Sequence, residues 1–291
     1  MSHLFCIGLG FSAQALARRL KPQGWTVTGT CRSADSQADL AAKGITTAIA
    51  SREAPPADAD RDLAGVSHIL ISVPPDALGD PALDLYGAAI ARRPDLAWLG
   101  YLSTTGVYGD RQGGWVDEDS DLTPTGIRGK RRLAAEHGWI DLASKTGIPT
   151  HLFRLAGIYG PGRSALDTVW QGRAQRVVKP GQVFSRIHVE DIATVLAASI
   201  AHPEPLGIYN VCDDDPAPPA EVIAYACDLL GVEPPPEVPF EDAELSPMAR
   251  SFYDDNKRVS NARMKTRLGV RLAFPSYRNG LVALRKAILP P

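Results

Sequence analysis

The chain has 291 residues, 31 of them basic and 33 acidic, for a net charge of −2. That length buries a sizeable core without a metal or disulfide staple, and the near-balanced charge gives no electrostatic reason for nucleic acid or an anionic membrane as the main partner. At 44% apolar and 22% charged residues, wholesale disorder is excluded. Cys6, Cys31, Cys212 and Cys227 form no C-x-x-C pair and read as reduced, mostly buried thiols. The histidines show no metal-binding spacing, so no metal site is expected. No apolar run approaches the ~20 residues of a membrane span. The first residues lack the basic region of a signal peptide, and Gly8 and Gly10 interrupt their apolar stretch. The expectation is a cytoplasmic protein that meets a small molecule.

In chain order, residues 4–8 form an apolar run that reads as a strand buried on both faces. Ala13, Leu16, Ala17 and Leu20 then recur on one face of a helix, which Pro22 and Gly24 end. Residues 25–30 supply a second strand and 45–50 a weak third, and 68–73 is a buried strand stopped by Pro74 and Pro75. A helix over 78–92, a strand over 97–103, a helix over 129–146 and a strand over 150–155 continue the alternation. A helix over 189–201 and a strand over 207–211 complete it. The fold class is α/β, a doubly wound parallel sheet with helices on both faces. From about residue 213 the rhythm stops, and the Pro- and acid-rich tail reads as a small helical appendage around Val222, Ile223, Ala226, Cys227 and Leu230.

Gly8-Leu-Gly10-Phe11-Ser12-Ala13 is G-x-G-x-x-A between a strand and a helix. The first glycine permits a tight turn, and the second lets the backbone approach a pyrophosphate. Ala13 allows close helix–sheet packing. The helix N-terminus offers amides and partial positive charge to phosphates. The pattern marks a dinucleotide site. An NAD site usually carries an acid at the end of the second strand, but no Asp or Glu precedes Asp35. The strand instead ends in Thr30, Cys31, Arg32 and Ser33. Arg32 offers a fork for a 2′-phosphate, and Thr30 and Ser33 offer hydroxyls, so NADP(H) is expected over NAD(H). Ser72, Val73 and Pro74 follow the fourth predicted strand, at the carboxyl edge where such sheets bind ligands. The division expected is a dinucleotide-binding domain of residues 1–160 and 187–213, and a smaller substrate-side domain of 161–186 and 214–291.

Several segments resemble the extended short-chain dehydrogenase/reductase family, in its epimerase/dehydratase-like branch. Leu102-Ser-Thr-Thr-Gly-Val-Tyr-Gly109 is similar to that family's S-S-x-x-V-Y-G, and Phe153-Arg-Leu-Ala-Gly-Ile-Tyr-Gly-Pro-Gly162 to its R-x-x-x-x-Y-G-P-G. Ile187-His-Val-Glu-Asp-Ile192 resembles its I-H-V-x-D-I, and Tyr209-Asn-Val211 its last strand. The resemblance implies a Rossmann fold, a nicotinamide cofactor and a homodimer through the helices at 78–92 and 129–146. It also implies a catalytic Tyr-x-x-x-Lys pair beside a Ser or Thr, which Thr104 matches.

The pair itself is missing. Pro124-Thr-Gly-Ile-Arg128-Gly-Lys-Arg-Arg132-Leu-Ala-Ala-Glu136 stands where the family has P-x-x-x-Y-x-x-x-K-L-A-A-E, so Arg128 takes the Tyr position and Arg132 the Lys position. Arginine stays protonated and cannot exchange the proton. Tyr253 and Lys257 have Y-x-x-x-K spacing, which reads as coincidence. Three readings follow. A substituted acid/base acts, with Tyr108 and Lys130 nearest. Arg128 binds an anionic substrate group and the chemistry departs from the family's. Or the chain is a non-catalytic NADP(H)-binding sensor or regulatory partner. Residues 160–186 read as a Gly- and Arg-rich insert, and Arg163 and Arg186, which flank it, are expected to grip an anionic substrate. Arg154 reads either as a buried arginine paired with an acid or as a site residue, and His188 and Asp191 as braces of a helix start. The expected function is an NADP(H)-dependent oxidoreductase or epimerase-like enzyme on a small polar, anionic metabolite.

Overall fold

The computed structural model describes residues 2–288. One seven-stranded sheet contains β1 (His3–Ile7), β2 (Thr26–Cys31), β3 (Thr46–Ile49), β4 (His68–Ile71), β5 (Trp98–Thr104), β7 (Thr150–Leu155) and β11 (Leu206–Val211). Their spatial order is β11-β7-β5-β4-β1-β2-β3. The pairings of β1 with β2 and β4, of β2 with β3, and of β4 with β5 are all parallel. Strand order therefore reverses between β1 and β4, the place where doubly wound sheets bind nucleotides.

The helices follow from local chemistry. Between β1 and β2, α1 (Phe11–Leu20) buries Ala13, Leu16, Ala17 and Leu20. After β2, α2 (Ala34–Ala42) buries only Leu40, and Ser33 caps it through Ser36 N at 3.3 Å. The sequence reading missed this helix because Leu40 is its one large apolar residue, and a single such position gives no helical period. A single turn, α3 (Ala59–Asp62), precedes β4. Next, α4 (Pro81–Ala91) starts three residues later than expected, because the buried Asp80 carboxylate caps Ala82 N and Leu83 N and also accepts from Trp139 Nε1 at 3.1 Å. The 20-residue α5 (Ile127–Thr146) and the apolar α7 (Val189–Ala201) follow.

The described chain divides into two compact units. Among the described residues the first comprises 2–104, 127–154 and 192–209; the second 105–126, 155–191 and 210–288. The loop 105–126 belongs to the second unit because its β6 (Trp115–Val116) pairs in parallel with β13 (Arg258–Val259). The second unit is not purely helical, as the tail's composition had suggested. It holds two further parallel pairs, β8 (Gly157–Tyr159) with β10 (Arg186–His188), and β9 (Arg176–Val178) with β12 (Glu237–Pro239). Around them lie α6 (Ala165–Trp170), α8 (Pro219–Leu230), α9 (Pro247–Arg250), α10 (Ala262–Arg267) and α11 (Tyr277–Ile288). Strands this short carry no period-2 signal. A core of Tyr159, Leu166, Val222, Ala226, Tyr277 and Leu281 ties α6, α8 and α11 together. All four cysteines are buried and unpaired, and no described helix is long and apolar enough to cross a membrane.

Candidate functional site

The turn between β1 and α1 is built by two glycines with different reasons. Gly8 sits at φ +89°, and a Cβ there would lie 2.6 Å from Val73 Cγ1, so the protein itself requires glycine. Gly10 sits at φ −83°, which any residue adopts. A Cβ on Gly10 meets nothing closer than Ser72 Oγ at 3.8 Å. Protein packing does not demand glycine at 10, and the space in front of it is open to a ligand. Gly10 brings no capping side chain and the first turn of α1 has no acid, so the helix end offers backbone amides to an outside acceptor. The turn is pinned by Leu9 N to Thr30 O at 2.8 Å and by Gly8 N to the Thr30 hydroxyl at 2.9 Å. Thr30 is buried, and its hydroxyl shapes the turn, a duty the sequence reading had not given it. Phe11 is half-buried, while Ser12 and Ala13 are buried. Ser72 and Val73 stand against this turn, with Ser72 N donating to Ile7 O at 2.9 Å, and Pro74 is exposed beside them.

At the end of β2, Arg32 is exposed and makes no hydrogen bond or ion pair with another described residue. Ser33, next to it, has its hydroxyl engaged in capping α2. Ser51, beyond β3, is held in a local turn with Glu53 and Ala54.

The end of β5 faces the start of α5 inside the first unit. Arg132 donates from Nη1 to Leu102 O at 2.8 Å and to the Tyr101 hydroxyl at 3.1 Å. Its guanidinium is thereby fixed to the strand that ends at Thr104. Arg128 is exposed one helical turn earlier, and Lys130 is exposed as well. Beneath them, Arg154 on β7 pairs with Glu136 on α5 at 2.9 Å, both side chains at most 3% exposed. Glu136 also accepts from the Ser103 hydroxyl. Arg154 is therefore the buried, acid-paired arginine rather than a site residue.

Tyr108 lies in the second unit, fully buried, with its hydroxyl donating to Asn210 Oδ1 at 2.7 Å. Asn210 is itself held by Glu118 and by Ser260 O. A hydroxyl sealed from solvent and tied to an amide is poorly placed to exchange a proton with substrate, the role expected of Tyr108. Tyr253 stacks on Phe240, and Lys257 donates to Gly109 O at 2.9 Å and to Asp255 at 3.1 Å, so these two serve packing and loop anchoring. His188 accepts from Glu190 N at 3.2 Å, and burial lowers its pKa to about 4. Asp191 receives Ala273 N and Phe274 N at 2.8 and 3.0 Å. Both brace the start of α7.

The second unit carries an open cavity of about 580 Å³. Arg163 and Arg186, 23 positions apart, both line it, with Arg173, Tyr159, Tyr253 and Tyr277. Arg173 and the three tyrosines carried no motif that sequence reading could use. Arg186 Nη1 donates to Phe184 O at 2.7 Å and Ala217 O at 3.0 Å, across the bridge that joins those two residues. Burial lowers the Arg186 pKa, and the nearby Asp213 works against that shift. Burial also pushes the Asp213 carboxyl up to about 8. No group of His, Cys, Asp and Glu among the described residues is arranged to hold a metal.

With this geometry in hand, comparison with known proteins is decisive for class. Residues 8–212 match the model of the NAD dependent epimerase/dehydratase family. The chain therefore belongs to that family, as its motifs implied. Protein YeeZ of Escherichia coli K12 is 30% identical over 247 residues, covering 81% of this chain and 86% of YeeZ. A solved structure of a functionally unknown conserved protein from Silicibacter pomeroyi is 51% identical, covers 99% of both chains and superimposes with a TM-score of 0.90. MoeE5, solved in complex with UDP-glucuronic acid and NAD, shares the fold at a TM-score of 0.80 and 16% identity over 98% of each chain.

Proposed function

We propose that this protein is an NADP(H)-dependent oxidoreductase or epimerase-like enzyme acting on a small polar, anionic metabolite. The observation that carries the reading is the β1–α1 turn. Gly10 is free of protein packing, and the end of α1 is capped by no side chain of its own. Gly8, Gly10, Phe11, Ser12 and Ala13 would hold the pyrophosphate, and Ser72, Val73 and Pro74 would lie along the riboses. The family and the NAD-bound fold relative support a nicotinamide cofactor in general. Preference for the phosphorylated form rests on the exposed Arg32 and on the missing acid, since the Thr30 hydroxyl holds the turn and the Ser33 hydroxyl caps α2.

When bound, the nicotinamide supplies or accepts hydride. In this reading Thr104, at the end of β5, hydrogen-bonds the substrate oxygen. Arg132, fixed on Leu102 O, stabilises negative charge developing there, and Arg128 holds an anionic group. Arg163 and Arg186 contribute cation to the second unit's cavity.

One observation favours a second reading. No side chain of α5 offers a Tyr hydroxyl, and Tyr108 is sealed. A non-catalytic NADP(H) sensor needs neither. A metabolite screen following NADPH oxidation separates the two: turnover that falls in Thr104→Ala and Arg128→Ala supports the enzyme. Absent turnover, with NADPH altering association with another protein, supports the sensor.

A further inference from the structure

The cavity of the second unit combines a half-buried cation, Arg186, with aromatic walls. Arg186 spends Nη1 on two backbone carbonyls, and its Nε and Nη2 make no hydrogen bond to another described residue. What remains is the side-on edge of the guanidinium, which matches the two oxygens of a carboxylate. Tyr277, 1% exposed, lines the same cavity with its ring 6.0 Å from the Arg186 guanidinium. Its buried hydroxyl has no hydrogen-bond partner among the described residues, and such a group calls for a partner from outside the chain.

The remaining lining sets the body of the ligand. Tyr159 and Tyr253, with Val177, Val222 and Leu281, offer aromatic and aliphatic surface to something flat and apolar. The other two cations, Arg163 and Arg173, are exposed. The Asp167 carboxylate shares the lining. A diphosphate would meet that carboxylate with Arg186 as the one lining cation that is not exposed. A single carboxylate needs no more than the Arg186 edge.

We propose that this cavity takes an aromatic carboxylate of the benzoate or phenylpropenoate type, with its carboxylate on the Nε–Nη2 edge of Arg186 and the Tyr277 hydroxyl as a further hydrogen-bonding group. The proposal rests on the reading of the chain as an enzyme for a small anionic metabolite, and names the substrate class.

The test is calorimetric titration of the full chain with 4-hydroxycinnamate, its methyl ester and UDP, beside a separate NADPH titration. The acid is expected to bind at least about tenfold more tightly than the ester or UDP, because only it presents a lone carboxylate to the fork. Arg186→Gln is expected to weaken the acid at least about tenfold, Arg186→Lys less, and Tyr277→Phe about threefold. UDP binding more tightly than the acid, or ester binding as well as acid, overturns the proposal. So does an Arg186→Gln protein that binds the acid normally. The ester comparison uses the unaltered protein, so it holds even where a variant fails to fold. A protein that binds NADPH but not the acid sinks the substrate class alone, whereas one that binds the acid but not NADPH sinks the cofactor reading.

Discussion

The two units put chemistry on different parts of the polypeptide. In the first, the candidate nucleotide site is made mostly of backbone: a turn forced by Gly8, an open approach at Gly10, and the amides of α1. In the second, the cavity is made of side chains gathered from distant segments, from Tyr159 to Leu281. A backbone site leaves a short contiguous pattern in the sequence. A side-chain site assembled by tertiary packing leaves none. The contrast also sets what mutation does: one atom added to the turn blocks a ligand, while the cavity changes residue by residue.

The largest effect expected lies under the first unit's sheet. Arg154→Ala strands the Glu136 carboxylate without its buried partner and is predicted to cost about 3–5 kcal/mol in urea unfolding. A loss below about 1 kcal/mol would mean that water reaches the pair. Next comes Arg32→Ala, expected to weaken NADPH about tenfold and leave NADH unchanged in calorimetric titration. Equal losses for both cofactors would make Arg32 a bystander. In the second unit, Tyr108→Phe removes one buried hydrogen bond and is predicted to cost about 1 kcal/mol of stability without abolishing any turnover found in the screen. A complete loss of turnover in a folded Tyr108→Phe protein would restore Tyr108 to the chemistry.

The last effect is a slope, spread over several pH units. With its pKa raised to about 8 by burial, Asp213 keeps in the folded state a proton that the unfolded chain releases near its ordinary value of 3.8. The folded state binds more protons across that window, so this group's contribution to stability is present at low pH and lost as pH rises from about 4 to about 8. Thermal melts of Asp213→Asn across this range should show a shallower decline than the parent. Identical slopes would mean that the carboxyl titrates normally.

How much was legible in the sequence follows the same division. The βα alternation, the glycine turn and the acid-free end of β2 could be read because strands of four to seven residues and helices of ten or more carry periodicity. The short α2 escaped notice, since Leu40 is its one buried residue and the signal for its start is the Ser33 cap. Arg154 left two readings open until its partner Glu136, 18 positions away, was seen. Arg163 and Arg186 were singled out for charge alone. Tyr277 was not singled out at all, because a tyrosine at a helix start has no pattern until the chain folds around it. The Arg128 and Arg132 substitutions were plain in sequence, yet only the structure shows Arg132 anchored to Leu102 O while Arg128 stays exposed.

The central claim is that the glycine turn exists for a dinucleotide, and Gly10→Ala tests it most directly. The variant and the parent would be titrated with NADPH and their melts compared. The parent is expected to bind and the variant to fold with stability within about 0.5 kcal/mol of the parent, since the nearest atom to the added methyl is Ser72 Oγ at 3.8 Å, an ordinary contact. NADPH binding is expected to be lost in the variant, because the methyl occupies the approach to the pyrophosphate. An unaffected NADPH affinity in Gly10→Ala, or no binding by the parent, would contradict the claim.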